Sequence, residues 1–428
     1  MSLHPRRHAS AAVFLAVALA MPVAASSPAP ATPTPTPAPR PSPGTDTTPG
    51  GLGWLPVSLD LPVDHWLTDL TTWAGGFAAL ESDDDDDLFA LWTSPDGARW
   101  QSTALPEGVD NGRLVALEDH LYLVEFRGRG DSQELRVRTW RTGDGRVWQR
   151  QGLFEWSMPV SLEDDWRIGV THIVAAPDRL VMVGEVDPCC GSGGSIPLGS
   201  TYASILTAYY PERLPLRGLV VWTSQDGSVW TRQSNADLRE PVSGNAWVTD
   251  VQGVPAGLLA TRASTDEGLF ASIEGAHWDA MGPLPPGYNG LGPTGTVVAL
   301  DRVVISFDAR DHANTLEVWL RDDAGRWIRS LHEPYTTADE LIATGSLVVA
   351  AGDSYDGGAK SWPRIFVSSD GGATWDPELS WTGARGGCTR DLATDGARLV
   401  LFGCDEGTPS LWHADVPALG ADASSGAR

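Results

Sequence analysis

VSSDGGATW, residues 367–375, is the stretch that decides the fold: the end of an apolar run, then Ser368, Asp370, two glycines, Thr374 and Trp375. A short carboxylate such as Asp370 can accept backbone N–H bonds inside a tight turn, where Gly supplies the positive φ. The tryptophan then offers a large flat side chain to fill the space between neighbouring sheets. Outward from this stretch, shorter versions appear as TSPDGARW (93–100), RTGDGRVW (141–148), TSQDGSVW (223–230), ASIEGAHW (271–278) and RDDAGRW (321–327). Trp100, Trp148, Trp230, Trp278, Trp327 and Trp375 follow one another at intervals of 48, 82, 48, 49 and 48 residues. A fixed period of this size is the length of one four-stranded propeller blade, and the long interval is a blade carrying an insertion.

Ahead of each turn lie two alternating apolar runs joined by a turn of their own, such as Val248–Val251 then Leu258–Ala260, and Leu341–Ala343 then Leu347–Ala350. With the strands flanking the turn, each unit predicts four strands. Six visible copies by themselves suit six blades. After Trp375, however, Thr389–Ala393, Leu399–Phe402 and Ser410–Ala414 read as three further strands with no closing tryptophan. At the other end Trp54 lies 46 residues before Trp100, as if PGGLGWLPVSLDLP were the back half of a unit. Residues 53 to 59 are therefore expected to supply the fourth strand of the last blade. The expected fold is all-β: a seven-bladed propeller of antiparallel four-stranded blades, with no open edge in the ring.

These residues resemble the Asp-box of the sialidase-like (BNR-repeat) propellers, whose pattern is Ser-x-Asp-x-Gly-x-Thr-Trp. Ser368, Asp370, Gly372, Thr374 and Trp375 match it in full. In the copies at Asp96, Asp144 and Asp226 the tryptophan comes one residue sooner; Glu274 replaces Asp in the fourth, and Ala324 follows Asp323 in the fifth where Gly is usual. The resemblance implies that these six acidic residues and their tryptophans are structural, on turns away from the binding face.

The chain carries 30 Lys and Arg against 55 Asp and Glu, a formal net charge of −25. That balance repels phosphate backbones and anionic lipid, so neither nucleic acid nor a membrane surface is an expected partner. Arg6, Arg7 and His8 followed by the apolar run Ala11–Ala20 and small residues at Ala24–Ser26 read as an export signal over 1–26. Residues 27–50 are rich in Pro, Thr and Ser and read as an extended linker, 51–417 as the propeller, and 418–428 as a disordered tail. The expected location is extracytoplasmic, with the linker holding a monomeric domain off the envelope. Cys388 and Cys404 flank a turn at Asp395–Gly396 symmetrically, which predicts a disulfide across a hairpin. Cys189 and Cys190 are adjacent, so a vicinal bond and separate pairing both stay open.

Loops between second and third strands, and between blades, share the face opposite the box turns. Arg127, Arg129, Arg167 and Arg385 are candidates to face the central opening, and the 187–217 insertion brings Tyr202, Tyr209 and Tyr210. The acidic run Asp83–Asp87 is open to two readings, a Ca²⁺ site or a solvated hairpin tip. No other cofactor is expected. The resemblance implies two functions of different class. A sialidase-like hydrolase needs three arginines gripping a substrate carboxylate, a Tyr–Glu nucleophile pair and an Asp acid, together with a Phe-Arg-Ile-Pro motif near the first blade. The closest string here, Pro363-Arg364-Ile365-Phe366, stands ahead of the sixth box, and no triad can be assigned. The expected function is accordingly a non-catalytic exported propeller that binds a glycan, peptide or envelope component.

Overall fold

The computed structural model describes residues 52–62, 64–83, 87–127, 134–157, 166–188, 218–233, 247–263, 268–275, 277–286, 295–308, 315–355, 361–382, 386–405 and 407–416. Seven four-stranded antiparallel sheets account for the strands of these residues, as the repeat predicts. Six blades are built from consecutive strands. Their first strands are His65–Trp73 in blade 1, Arg113–Leu117 in blade 2, Trp166–Ala176 in blade 3, Trp247–Val254 in blade 4, Gly295–Ala299 in blade 5 and Glu340–Thr344 in blade 6. The seventh blade has Cys388–Thr394 innermost, followed by Arg398–Asp405 and Thr408–Asp415, and its fourth strand is Leu55–Val57 from the start of the chain. Leu55 pairs with His413, Pro56 with Trp412 and Val57 with Leu411. Pro56 is tolerated because an outermost strand has one side free of ladder bonds.

The first strand of each blade touches the first strands of both neighbours, so the seven close a circle around a central axis. Burial follows the radius. The second strand Leu347–Tyr355 of blade 6 is buried along nearly its whole length, being sandwiched between blades, whereas the outer strand Gln101–Ala104 is largely exposed. The core lies in the wedges between blades. One wedge holds Trp54 with Val349 and Ile365 of blade 6 and Leu392 and Leu401 of blade 7. Another holds Trp230 with Val124, Val137 and Met182 from blades 2 and 3, and a third Trp278 with Val183 and Leu258 from blades 3 and 4.

The turns ahead of the repeat tryptophans Trp100, Trp148, Trp327 and Trp375 are closed from within. Asp370 Oδ1 accepts the Ala373 and Thr374 amides at 3.0 and 2.8 Å, while Ser368 Oγ accepts the Gly372 amide at 2.8 Å. Asp144 Oδ1 accepts the Arg146 and Val147 amides, both at 2.9 Å, and Asp96 Oδ1 the Ala98 and Arg99 amides at 3.1 and 3.0 Å. In the fifth turn the accepting carboxylate is Asp322, whose Oδ1 takes the Ala324 and Arg326 amides at 3.0 and 2.8 Å. The role read onto Asp323 therefore falls one residue earlier. This turn is a residue longer than most and matches the spacing of Asp370 to Trp375, which moves the carboxylate back.

Cys388 and Cys404 are directly opposed across their hairpin, with Cα atoms 4.8 Å apart, and are disulfide-bonded. Among the described residues no helix is long and apolar enough to cross a membrane.

Candidate functional site

The inner ring carries a polar girdle at a single level. The equivalent first-strand position in each blade lies three places before the second pair from the hairpin turn, such as Thr72↔Phe77, Ala116↔Leu121, Ala175↔Leu180 or Gly253↔Leu258. The seven equivalent residues are Asp69, Arg113, His172, Asp250, Gly295, Glu340 and Asp391. Strand pairing shifts register at four of them, between Thr68 and Thr71, Val170 and His172, Val248 and Asp250, and Thr389 and Asp391. A bulge re-aims a side chain without ending the strand, so a polar residue here can turn toward the adjacent blade. Asp69 has φ of 53°, the left-handed region that a short polar side chain tolerates best.

The girdle stitches blades together. Asp391 Oδ2 accepts the Leu70 amide of blade 1 at 2.7 Å. Asp69 in turn accepts the Leu114 amide of blade 2 at 3.0 Å and the Arg113 guanidinium at 2.8 Å. At Gly295 no side chain would fit: a Cβ there would stand 2.7 Å from Leu341 Cβ and 3.2 Å from its amide nitrogen.

Packing these groups together out of water pushes them toward neutrality. Burial, reinforced by the charge of Asp69, pushes Asp391 up to about 7 against the opposing pull of the Leu70 and Leu392 amides and Arg113. Burial also raises Asp69, partly offset by Arg113, and raises Asp250 to about 6. Glu340 is raised well above the ordinary range by burial and then by the charges of Asp391, Asp339 and Asp250. His172 is lowered to about 4 by burial and by Arg113. All four carboxyls thus hold their protons more tightly than free carboxyls do, and where they act on one another the protons belong to the set rather than to single residues.

A second polar station lies beside the acidic run. Glu81 takes His65 Nδ1 at 2.6 Å and Trp92 Nε1 at 2.7 Å, and the His65 ring lies 4.4 Å from that of Phe89. Of the run itself, Asp83 Oδ1 accepts the Asp87 amide at 3.1 Å, while 84–86 lie outside the described residues. Among the described residues no group of three or more His, Cys, Asp or Glu is placed to hold a metal ion.

Arg364 lies in the strand Ser361–Ser368, where it pairs with Glu333 and stands 4.9 Å from the Phe366 ring centre. The side chains of Arg127 and Arg167 lie outside the described residues, as do Arg129, Arg385, Cys189, Cys190, Tyr202, Tyr209 and Tyr210 altogether. The sequence reading passed over the girdle. Its signal was an acid followed by an aliphatic residue on the first strands of four blades, at Asp69-Leu70, Asp250-Val251, Glu340-Leu341 and Asp391-Leu392.

Neither a protein-family model nor a curated protein matches this chain. Solved structures do resemble it. A polysaccharide ulvan lyase aligns at a TM-score of 0.45 and 10% identity, over 82% of this chain and 94% of that one. An α-L-arabinanase from Penicillium chrysogenum aligns at 0.39 and 11%, over 86% and 97%. Pyrococcus horikoshii acylaminoacyl peptidase aligns at 0.45 and 8% over 83% of this chain, which spans 53% of the peptidase. Likeness at this level transfers neither substrate nor residue roles.

Proposed function

We propose that this chain is an exported, non-catalytic propeller that binds an envelope or extracellular component over its central opening. The observation that carries the reading is the chemistry of the inner strands. A sialidase-type site needs free arginines to grip a substrate carboxylate, whereas the girdle is dominated by carboxyls. Arg113 is held by Asp69 at 2.8 Å, and the Arg390 guanidinium lies 5.2 Å from the Trp66 ring centre. No described first strand carries a tyrosine to serve as nucleophile. Export is supported by the basic and apolar start of the chain and by the Cys388–Cys404 bond, which persists in oxidising compartments.

The test is a panel of fluorogenic glycosides that includes a sialoside, run beside a glycan and peptide array. Binding without turnover is the expected result. Turnover that is lost in Arg390→Ala would overturn the reading in favour of a hydrolase.

A further inference from the structure

We propose that a cleft beside the third blade's box turn, on the face that carries these turns, binds a short neutral saccharide. The inference goes beyond the function proposed above, since it assigns a second site away from the central opening. The cleft holds about 430 Å³, within the range of small-ligand sites. Its described lining belongs to blade 3: the box turn over 224–229, Thr223, Thr231 and Gln233 beside it, and Arg179 at the start of the second strand. The sequence explains why this space stays open. Thr223 pairs with Thr231 as Thr93 pairs with Gln101 in blade 1. Between blades 1 and 2, Arg146 of the next box turn reaches Gln101 Oε1 at 3.2 Å. The matching sequence positions here carry Thr231 and Ala276, whose short side chains span no such distance.

The lining decides the class of ligand. Most small-ligand sites are walled by apolar side chains, whereas this one is walled by hydroxyls and amides. Thr223 and Ser224 are buried, while Gln225 and Thr231 are exposed to an incoming molecule. Amides and hydroxyls both donate and accept, which matches the double character of sugar hydroxyls. Gln233 Nε2 donates to Thr223 Oγ1 at 2.6 Å, and the amide oxygen of Gln233 is left to accept. Asp226 takes the Ser228 amide and hydroxyl on Oδ1, at 2.9 and 2.5 Å, which leaves Oδ2 as a second acceptor. The charges are matched within the protein. Arg179 is held by Asp178 at 2.7 and 2.9 Å, and Asp226 is kept ionised by the Ser228 hydroxyl and amide, with Arg141 near. An anion or a cation would meet no unshared counter-charge, so a neutral ligand is favoured. Val229, 70% exposed, is the apolar member of the described lining. It offers contact to the C–H face of a sugar ring but too little area for a lipid or an aromatic ligand.

Ligand hydroxyls here replace water bond for bond, which gives modest affinity and strong dependence on each partner. Removing one partner should lower affinity about tenfold.

The experiment is a saturation-transfer NMR titration of the full chain with cellobiose, maltose, lactose and diacetylchitobiose, and with glucuronic acid and N-acetylarginine amide as charged probes. The variants are Gln225→Ala, Gln233→Ala, Thr231→Arg and, as a control, Gln101→Ala at the matching position of blade 1. At least one neutral disaccharide is expected to bind, to weaken about tenfold in each cleft glutamine variant, to be lost in Thr231→Arg and to be unchanged in the control. No binding by any of the disaccharides, tighter binding of either charged probe, or saccharide binding that survives every cleft substitution would each overturn the assignment. The last result would put the sugar elsewhere on the chain and leave the reading as a binding propeller intact. Should Gln233→Ala fail to fold, Gln225→Ala and Thr231→Arg, both at exposed positions, decide.

Discussion

At the scale of the residue, the inner ring shows how one strand position does different work in each blade. Asp69 and Asp391 bind the next blade through a backbone amide, Asp250 takes the Gln252 side chain of its own strand, and Gly295 makes room for close contact. Gly295→Ala would drive a methyl group against Leu341, and the adjacent backbone has little freedom to yield. A loss of about 1–3 kcal/mol in urea unfolding is the expected result. An unchanged midpoint would show that blades 5 and 6 are not locked at this point. The box residues were legible because Ser, Asp, Gly and Trp act within one turn. The girdle was not, since its partners come from different blades and its side chains differ in charge.

At the scale of the element, the short strand Leu55–Val57 completes a blade whose other strands end the chain. It has only three ladder positions, so its anchorage depends on packing more than on hydrogen bonds. Trp54 is 2% exposed and packs with Leu392, Leu399 and Leu401, while Leu55 beside it points outward at 56% exposure. Trp54→Ala should therefore lower stability by about 3–5 kcal/mol and Leu55→Ser by less than about 0.5. Guanidinium denaturation of both variants checks this, and equal effects would mean that the closure is not held by the wedge. The strand was legible from the position of Trp54 relative to Trp100. The fifth turn was misread by one residue, because adjacent Asp322 and Asp323 are equivalent in sequence and only the turn geometry selects between them.

At the scale of the whole molecule, the girdle sets how stability responds to pH. Asp250 and Asp391 are raised to about 6 and about 7, above the unfolded value of about 3.9. The folded chain therefore holds protons that the unfolded chain releases. The resulting stabilisation is complete below the unfolded value and is lost as pH rises through 6 and 7. Box carboxylates work in the opposite sense. The slight burial of Asp96 is outweighed by the Arg99 side chain and the Arg99 and Ala98 amides, which hold it down to about 2, so its contribution fades only in strong acid. Scanning calorimetry should show the thermal midpoint rising as pH falls from about 8 to about 5, with the slope reduced in Asp250→Asn. A flat or reversed profile would show that the girdle acids titrate normally.

The sequence by itself determined the number of blades, their length and the use of both chain ends in one sheet. A propeller blade is a local unit, and its turn chemistry and buried tryptophan recur within each repeat. Only the tertiary structure decided which inner residues meet and how the girdle titrates. Asp391 meets the Leu70 amide across 321 residues of chain. That contact exists only once seven blades have closed the circle, and the low-polarity surroundings that shift the acids exist only with it.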